Sequence, residues 1–244
     1  VCSSDLANDL IAPVDGVRRQ RVYLFSGTKD TIVSPKAMAS LYEFYQAAKL
    51  PKANIVYDRR VPAGHAFIST QLGNDCGATA APYIDRCTVR GAPYDQPGRI
   101  LKHIYGALSA RATQLSSAPA AFDQTAYAAP SARMASEGYV YVPQSCQSAG
   151  AHCAVHVVFH GCGQSADKVG DDVYAELGYN QWADSNGIIV LYPQVTATTT
   201  LNPLTTNPIG CWDWWGYTGG YPYLRSSPQI RAVKAMVAGL EAQP

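Results

Sequence analysis

Short apolar runs that end in glycine-bearing polar loops, each followed by a helix-patterned segment, leave a chain few ways to fold. Residues 21–25 (R-V-Y-L-F) are one such run. It gives way to S-G-T-K-D-T-I-V at 26–33, and Ser34 and Pro35 then supply a helix cap and a first-turn proline. Met38, Leu41, Tyr42, Tyr45 and Ala48 follow at helical spacing. Residues 53–57 (A-N-I-V-Y) form the next run and lead into V-P-A-G-H-A-F at 61–67. A helix is expected over 98–108, with Ile100, Leu101, Ile104, Tyr105 and Leu108 on one face. The repeated unit predicts an α/β domain in which Asp30 and then His65 emerge from the carboxyl ends of strands.

Residues 110–135 break the pattern. They are rich in Ala, Ser, Pro and Gln without a period, and read as a connector. The pattern then restarts. Residues 138–143 (G-Y-V-Y-V-P) and 154–159 (A-V-H-V-V-F) look like a hairpin-type pair around a Cys-closed turn. A helix is expected over 173–185 and a buried strand over 187–193 (G-I-I-V-L-Y-P). The loop N-P-I-G-C-W-D-W-W-G-Y-T-G-G-Y at 207–221 follows. Ser226, Ser227 and Pro228 open a last helix with Ile230, Val233, Val237 and Leu240 on one face.

The order of the two blocks is informative. In the α/β-hydrolase fold, an oxyanion loop of the type V-V-F-H-G-C-G-Q (157–164) precedes the nucleophile, the acid and the histidine. Here it follows the candidate acid and histidine. The first block matches the end of a hydrolase sheet and the second its beginning. The expected fold is therefore a circularly permuted α/β-hydrolase, a single catalytic domain over 1–244 with 110–135 as the permutation connector. No G-x-S-x-G occurs in the sequence. The nearest look-alike, Gly163-Gln164-Ser165-Ala166-Asp167, lies in the oxyanion loop and lacks the second glycine. The fold is thus expected to be incomplete, with nucleophile strand and elbow missing. The opening V-C-S-S-D-L back-translates to the end of a common sequencing adapter, so residues 1–6 are expected to be an assembly artefact on an N-terminally truncated chain.

Composition narrows the environment. Net charge is +1, which gives no electrostatic footprint for nucleic acid. No apolar run approaches the roughly 20 residues needed to span a membrane. Seven cysteines fall mostly in loops, and zinc-type C-x-x-C pairs are absent. Together with scarce Lys and abundant Tyr and Trp, this indicates structural disulfides in a secreted, extracellular or periplasmic protein. Pairing of neighbours joins Cys76 to Cys87 and Cys146 to Cys153. Cys162 is left to pair with Cys211 over distance, and Cys2 is left over, although spacing alone does not fix connectivity.

Taken together, S-G-T-K-D-T-I-V, V-P-A-G-H-A-F, V-V-F-H-G-C-G-Q, G-Y-N-Q-W-A-D, I-I-V-L-Y-P-Q and N-P-I-G-C-W-D-W-W-G-Y-T-G resemble the circularly permuted extracellular poly(3-hydroxybutyrate) depolymerases. The resemblance runs from about Ala12 to Leu240. It implies a serine hydrolase with His65 as general base, Asp30 as orienting acid and the Cys162 N–H as one oxyanion donor, the serine itself being absent from the chain. It also implies an insoluble polyester or short-chain ester as substrate. Trp212, Trp214, Trp215 and Tyr217 are the expected substrate contacts, with Tyr221 and Tyr223 nearby. No cofactor, metal, nucleic-acid or membrane partner is expected, and the chain is read as a monomer. His152, His156 and His160 share a spacing of four that would set neighbours about 13 Å apart on a strand, too far for one zinc. His160 is expected to brace the oxyanion loop and His103 to be a surface or packing residue. Two other readings are a feruloyl or acetyl-xylan esterase, which shares the H-G-C-x-Q style of loop, and a non-catalytic polymer-binding relative.

Overall fold

The computed structural model describes residues 5, 6 and 8–242. Cys2 and most of the opening V-C-S-S-D-L lie outside the described residues. The chain divides into two compact units, one formed by Ala12–Ala110 and Glu176–Trp182, the other by Val1–Ile11, Arg111–Ala175 and Ala183–Pro244.

In the first unit, β1 (Val22–Phe25) pairs in parallel with β2 (Ile55–Asp58). Val22 and Leu24 alternate inward and form a core with Leu50. Helix α1 (Pro35–Ala47) begins where the Ser34 hydroxyl accepts the Ala37 N–H. Met38, Tyr42 and Tyr45 pack on that core, a narrow i, i+4, i+7 stripe. Leu41, expected among them, lies on the flank of the stripe and is exposed. Helix α2 (Gln96–Tyr105) starts earlier than expected because the Asp95 carboxylate caps the Gly98 N–H. It stops at Gly106, whose φ of 91° leaves the helical region, so Leu108 lies outside it.

The stretch between β2 and α2 adds small elements with no clear periodicity. They are β3 (Phe67–Ile68), β4 (Asn74–Asp75) and β5 (Ile84–Arg86), parallel in the order β3-β5-β4, and a two-stranded ribbon of β6 (Thr88–Val89) and β7 (Ala92–Pro93). The Cys76–Cys87 disulfide ties this region together, and Val61, Ala63, Ile68, Cys87 and Tyr94 form its core.

The second unit holds a four-stranded sheet in the order β10-β11-β9-β8. Its strands are β8 (Ala120–Asp123), β9 (Glu137–Tyr141), β10 (Ala154–Val157) and β11 (Ile188–Tyr192). All residues of β11 are buried, which suits a strand flanked on both sides. That placement corrects the expected hairpin: β11 lies between β9 and β10, antiparallel to the first and parallel to the second. The Cys146–Cys153 disulfide closes the turn between β9 and β10. The connector is also more than a tether, because β8 within it pairs antiparallel with β9. Gln124 anchors it. Fully buried, its side-chain nitrogen faces the carbonyl oxygens of Ala135, Glu137 and Gln194, while its Oε1 accepts the Gln194 N–H.

The remaining helices are α3 (Ala166–Val169), α4 (Tyr179–Asp184) and α5 (Pro228–Glu241). The helix expected over 173–185 shrinks to α4, since Gly178 at φ 103° breaks it. In α5 the buried residues are Gln229, Ala232 and Met236, and Ile230 points outward. The buried face is turned towards Gln229 because its amide finds the Ala132 carbonyl and the Tyr217 hydroxyl.

Candidate active site

The Asp30 and His65 loops of the first unit are stitched together by backbone. After β1, the Thr28 N–H donates to Val61 O at 2.9 Å and the Lys29 N–H to Ala63 O at 3.0 Å. Gly27 permits this approach, since a Cβ there would lie 2.3 Å from Ala63 O. The stitching sets the His65 Nδ1 2.9 Å from Asp30 Oδ2, with side chains 44% and 11% exposed respectively. The other Asp30 oxygen accepts the N–H groups of Ile32 and Val33, each at 2.9 Å. A carboxylate only accepts, so Nδ1 carries the proton and the Nε2 lone pair is left available. This is the orientation a general base requires.

In the second unit the H-G-C-G-Q motif folds on itself. The Gly161 N–H donates to Gln164 Oε1 at 2.9 Å and the Gly163 N–H to Ile209 O at 2.6 Å. His160, 2% exposed, lies beneath. Its Nδ1–H donates to Gly161 O at 2.7 Å and its Nε2 accepts the Val195 N–H at 3.1 Å. Burial lowers its pKa. Cys162 is exposed, its sulfur is bonded to Cys211, and among the described residues its N–H has no backbone acceptor. Ser165 is buried, and its Oγ donates to Asp167 Oδ1 at 2.5 Å. No histidine bonds to it among the described residues.

Cys211 brings the aromatic loop to the Cys162 turn. The Trp212 ring packs edge-on against Phe159, with centroids 4.9 Å apart, and tilts over His160 at 5.6 Å. Its Nε1 is buried without an acceptor among the described residues. Trp214 is 74% exposed and meets Trp215 edge to face. Tyr217 corrects an expectation: it is 1% exposed and cannot face a substrate. Its hydroxyl donates to Cys211 O and receives the Gln229 amide, so it packs under the loop. Asp213 organises the turn, accepting the N–H groups of Gly216, Tyr217 and Thr218 and the Thr218 hydroxyl. Burial raises its pKa, but these hydrogen bonds outweigh burial and hold it below the usual range.

No family model matches the chain. Against characterised proteins, it is 36% identical over 249 residues to the polyhydroxybutyrate depolymerase of Talaromyces funiculosus, which covers 95% of this chain and 70% of that protein. The chain belongs to the polyhydroxybutyrate depolymerase family. It is also 41% identical over 231 residues to the poly(3-hydroxybutyrate) depolymerase of Delftia acidovorans, spanning 93% of this chain but only 44% of that longer protein. The crystal structure of the PHB depolymerase from Penicillium funiculosum matches with a TM-score of 0.85 at 34% identity, over 98% of this chain and 75% of that one. A serine-to-alanine variant of PHB depolymerase complexed with an R3HB trimer matches equally well, with a TM-score of 0.85 over 97% and 78% of the two chains.

Several residues of this PHB depolymerase relative had escaped notice in the sequence. Thr79 accepts the His65 N–H at its Oγ1, 3.0 Å away. Gln164 closes the oxyanion turn, and Asp213 closes the aromatic loop. Asp213 carried a signal, an aspartate three residues before a glycine, which is the pattern of an Asx-type turn. Thr79 carried none, because its partner lies fourteen positions away. His103 serves packing, its Nε2 bonded to Asn54 O at 3.0 Å. A cavity of about 410 Å³ in the second unit is lined by Glu137, Ser165, Asp167, Gln194 and Thr196 among others, but not by Cys162 or the loop tryptophans.

Proposed function

We propose that this chain carries the base, the acid and half of the oxyanion hole of a serine hydrolase that cleaves ester bonds of poly(3-hydroxybutyrate) or related short-chain polyhydroxyalkanoates. The observation that carries the reading is the His65–Asp30 contact of 2.9 Å on loops locked to one another, in a chain of the depolymerase family. A serine from outside these 244 residues attacks the ester carbonyl, and the His65 Nε2 takes its proton. Asp30 holds the ring and stabilises the imidazolium. The Cys162 N–H receives the developing oxyanion. His65 then returns the proton to the leaving alkoxide, and water repeats the sequence on the acyl-enzyme.

The order of acid, base and oxyanion loop along the chain supports circular permutation of an α/β-hydrolase within one catalytic domain, with 110–135 as connector. The sheet order is in keeping with an incomplete fold: among the described residues β10 has a partner on one side only, which leaves a place for a further strand. We assign Trp212, Trp214 and Trp215 to substrate contact. Leu201, Leu204 and Ile209, all exposed, would add apolar area against a solid polymer. The three disulfides fit an exported enzyme.

The test joins a family-like N-terminal elbow to the chain and measures hydrolysis of polyhydroxybutyrate film beside feruloyl and acetyl esters. Film hydrolysis that falls by several orders of magnitude on His65→Ala is expected, with no turnover by the unextended chain. Turnover of a p-nitrophenyl ester by the unextended chain, abolished by changing one of its own serines, would overturn the assignment.

A further inference from the structure

Beneath the base loop lies a carboxyl group that the mechanism does not use. Asp85, on β5, is 0% exposed. Its Oδ2 accepts the Gly77 N–H at 3.0 Å, and the Gly64 N–H also acts on the carboxyl. Its Oδ1 has no partner among the described residues, and no cation pairs with it there. Burying such a group costs far more than burying an apolar residue of its size. A site that needed only filling would not use it.

What Asp85 holds are two turns that cross. Gly64 is the residue before His65, and a Cβ on it would lie 2.1 Å from Ala78 O and 2.7 Å from Thr79 Oγ1. The 76–79 turn therefore presses directly on the base loop. Thr79 accepts the His65 N–H, and Cys76 at the start of the turn is tied to Cys87 just past β5. Asp30 holds the imidazole from its ring side. The 76–79 turn, seated on Asp85, holds the same residue from its backbone side.

We infer that Asp85 and Thr79 are positioning residues for His65, forming a clamp that fixes the base independently of Asp30. This rests on the reading of His65 as the general base. Burial also raises the pKa of Asp85, as a carboxyl without a cation should behave. The clamp acts on geometry, so it is visible without turnover.

The experiment uses the 244-residue chain uniformly labelled with 15N. The His65 Nδ1–H resonance and its exchange with solvent are compared in wild type, Asp30→Asn, Thr79→Val, Thr79→Ser and Asp85→Asn. Thr79→Val and Asp85→Asn are expected to speed exchange about tenfold, the size of one lost hydrogen bond, while core amides of β1 keep their protection. Thr79→Ser, which keeps the hydroxyl, should restore the slow rate. If Asp85→Asn does not fold, Thr79→Val decides alone. A resonance lost in Asp30→Asn but unchanged in Thr79→Val overturns the clamp and leaves the dyad standing. A wild-type resonance indifferent to Asp30→Asn overturns the dyad, and the clamp with it.

Discussion

The His160 Nε2 accepts the Val195 N–H at 3.1 Å, and this bond can exist only while the ring is neutral. Gly161 O fixes the proton on Nδ1. A second proton would set Nε2–H against Val195 N–H, two donors with no acceptor between them. Replacing His160 by Leu should therefore cost about 1–3 kcal/mol, the cost of leaving the buried Val195 N–H unpaired, since Gly161 O keeps the Gln164 N–H. Urea unfolding of the variant measures it.

Acid should act in the same direction. Burial lowers the His160 pKa and pushes that of His156 down to about 4. In the unfolded chain both titrate near 6.5, so below that pH the unfolded state binds more protons. Their stabilisation is complete above about 6.5 and is lost as pH falls towards the folded values. For His156 the full loss is about 3 kcal/mol. Asp85 and Asp172, whose carboxyls burial pushes up, oppose it. Urea midpoints should drop between about pH 7 and 4.5, with His156→Gln flattening the profile. A profile equally steep in that variant would assign the loss to other groups.

Asp213 gathers three N–H groups and one hydroxyl. Asp213→Ala should release the aromatic loop and cost about 2–3 kcal/mol. Trp214 is already exposed, so its emission should change little. The half-buried Trp212 and Trp215 should shift to longer wavelength, which single-tryptophan variants can resolve.

Gly27→Ala adds a methyl 2.3 Å from a backbone oxygen that cannot move without parting the acid and base loops. A loss of about 2–3 kcal/mol is expected. A variant that melts with wild type would mean that the loops separate easily.

The Cys162–Cys211 bridge has a sequence separation of 49, worth about 4 kcal/mol in the chain-entropy picture. Cys211→Ser should lower thermal stability accordingly. It should also quicken exchange of the Gly163 N–H, whose acceptor Ile209 O lies just before the bridge.

What could be read from sequence followed from local signals. Asp30 and His65 stood out because each sits in a glycine-bearing loop after an apolar run, and β11 because a fully apolar run of five has one natural place in a sheet. Strand neighbours were not legible: whether β9 pairs with β10 or β11 depends on what else must be covered. Half of the expected face of α5, Val237 and Leu240, does pack on the core, but Ile230 does not, because the polar Gln229 is buried beside it, and only its distant partners Ala132 and Tyr217 explain that. Tyr217 and Trp214 look alike in sequence, and only the three-dimensional path of the loop separates a pillar from a surface residue.

The interlocked loops bear on timing. Asp30 and His65 lie thirty-five positions apart, yet the backbone bonds at Thr28 and Lys29 make their relative placement a property of the fold. On the proposed function, the ring is aligned before any ester arrives, so no rotational search would precede proton transfer. Activity of a completed enzyme should then disappear on heating together with the first unit's structure, in one step, with no temperature range in which a folded protein has a disordered base.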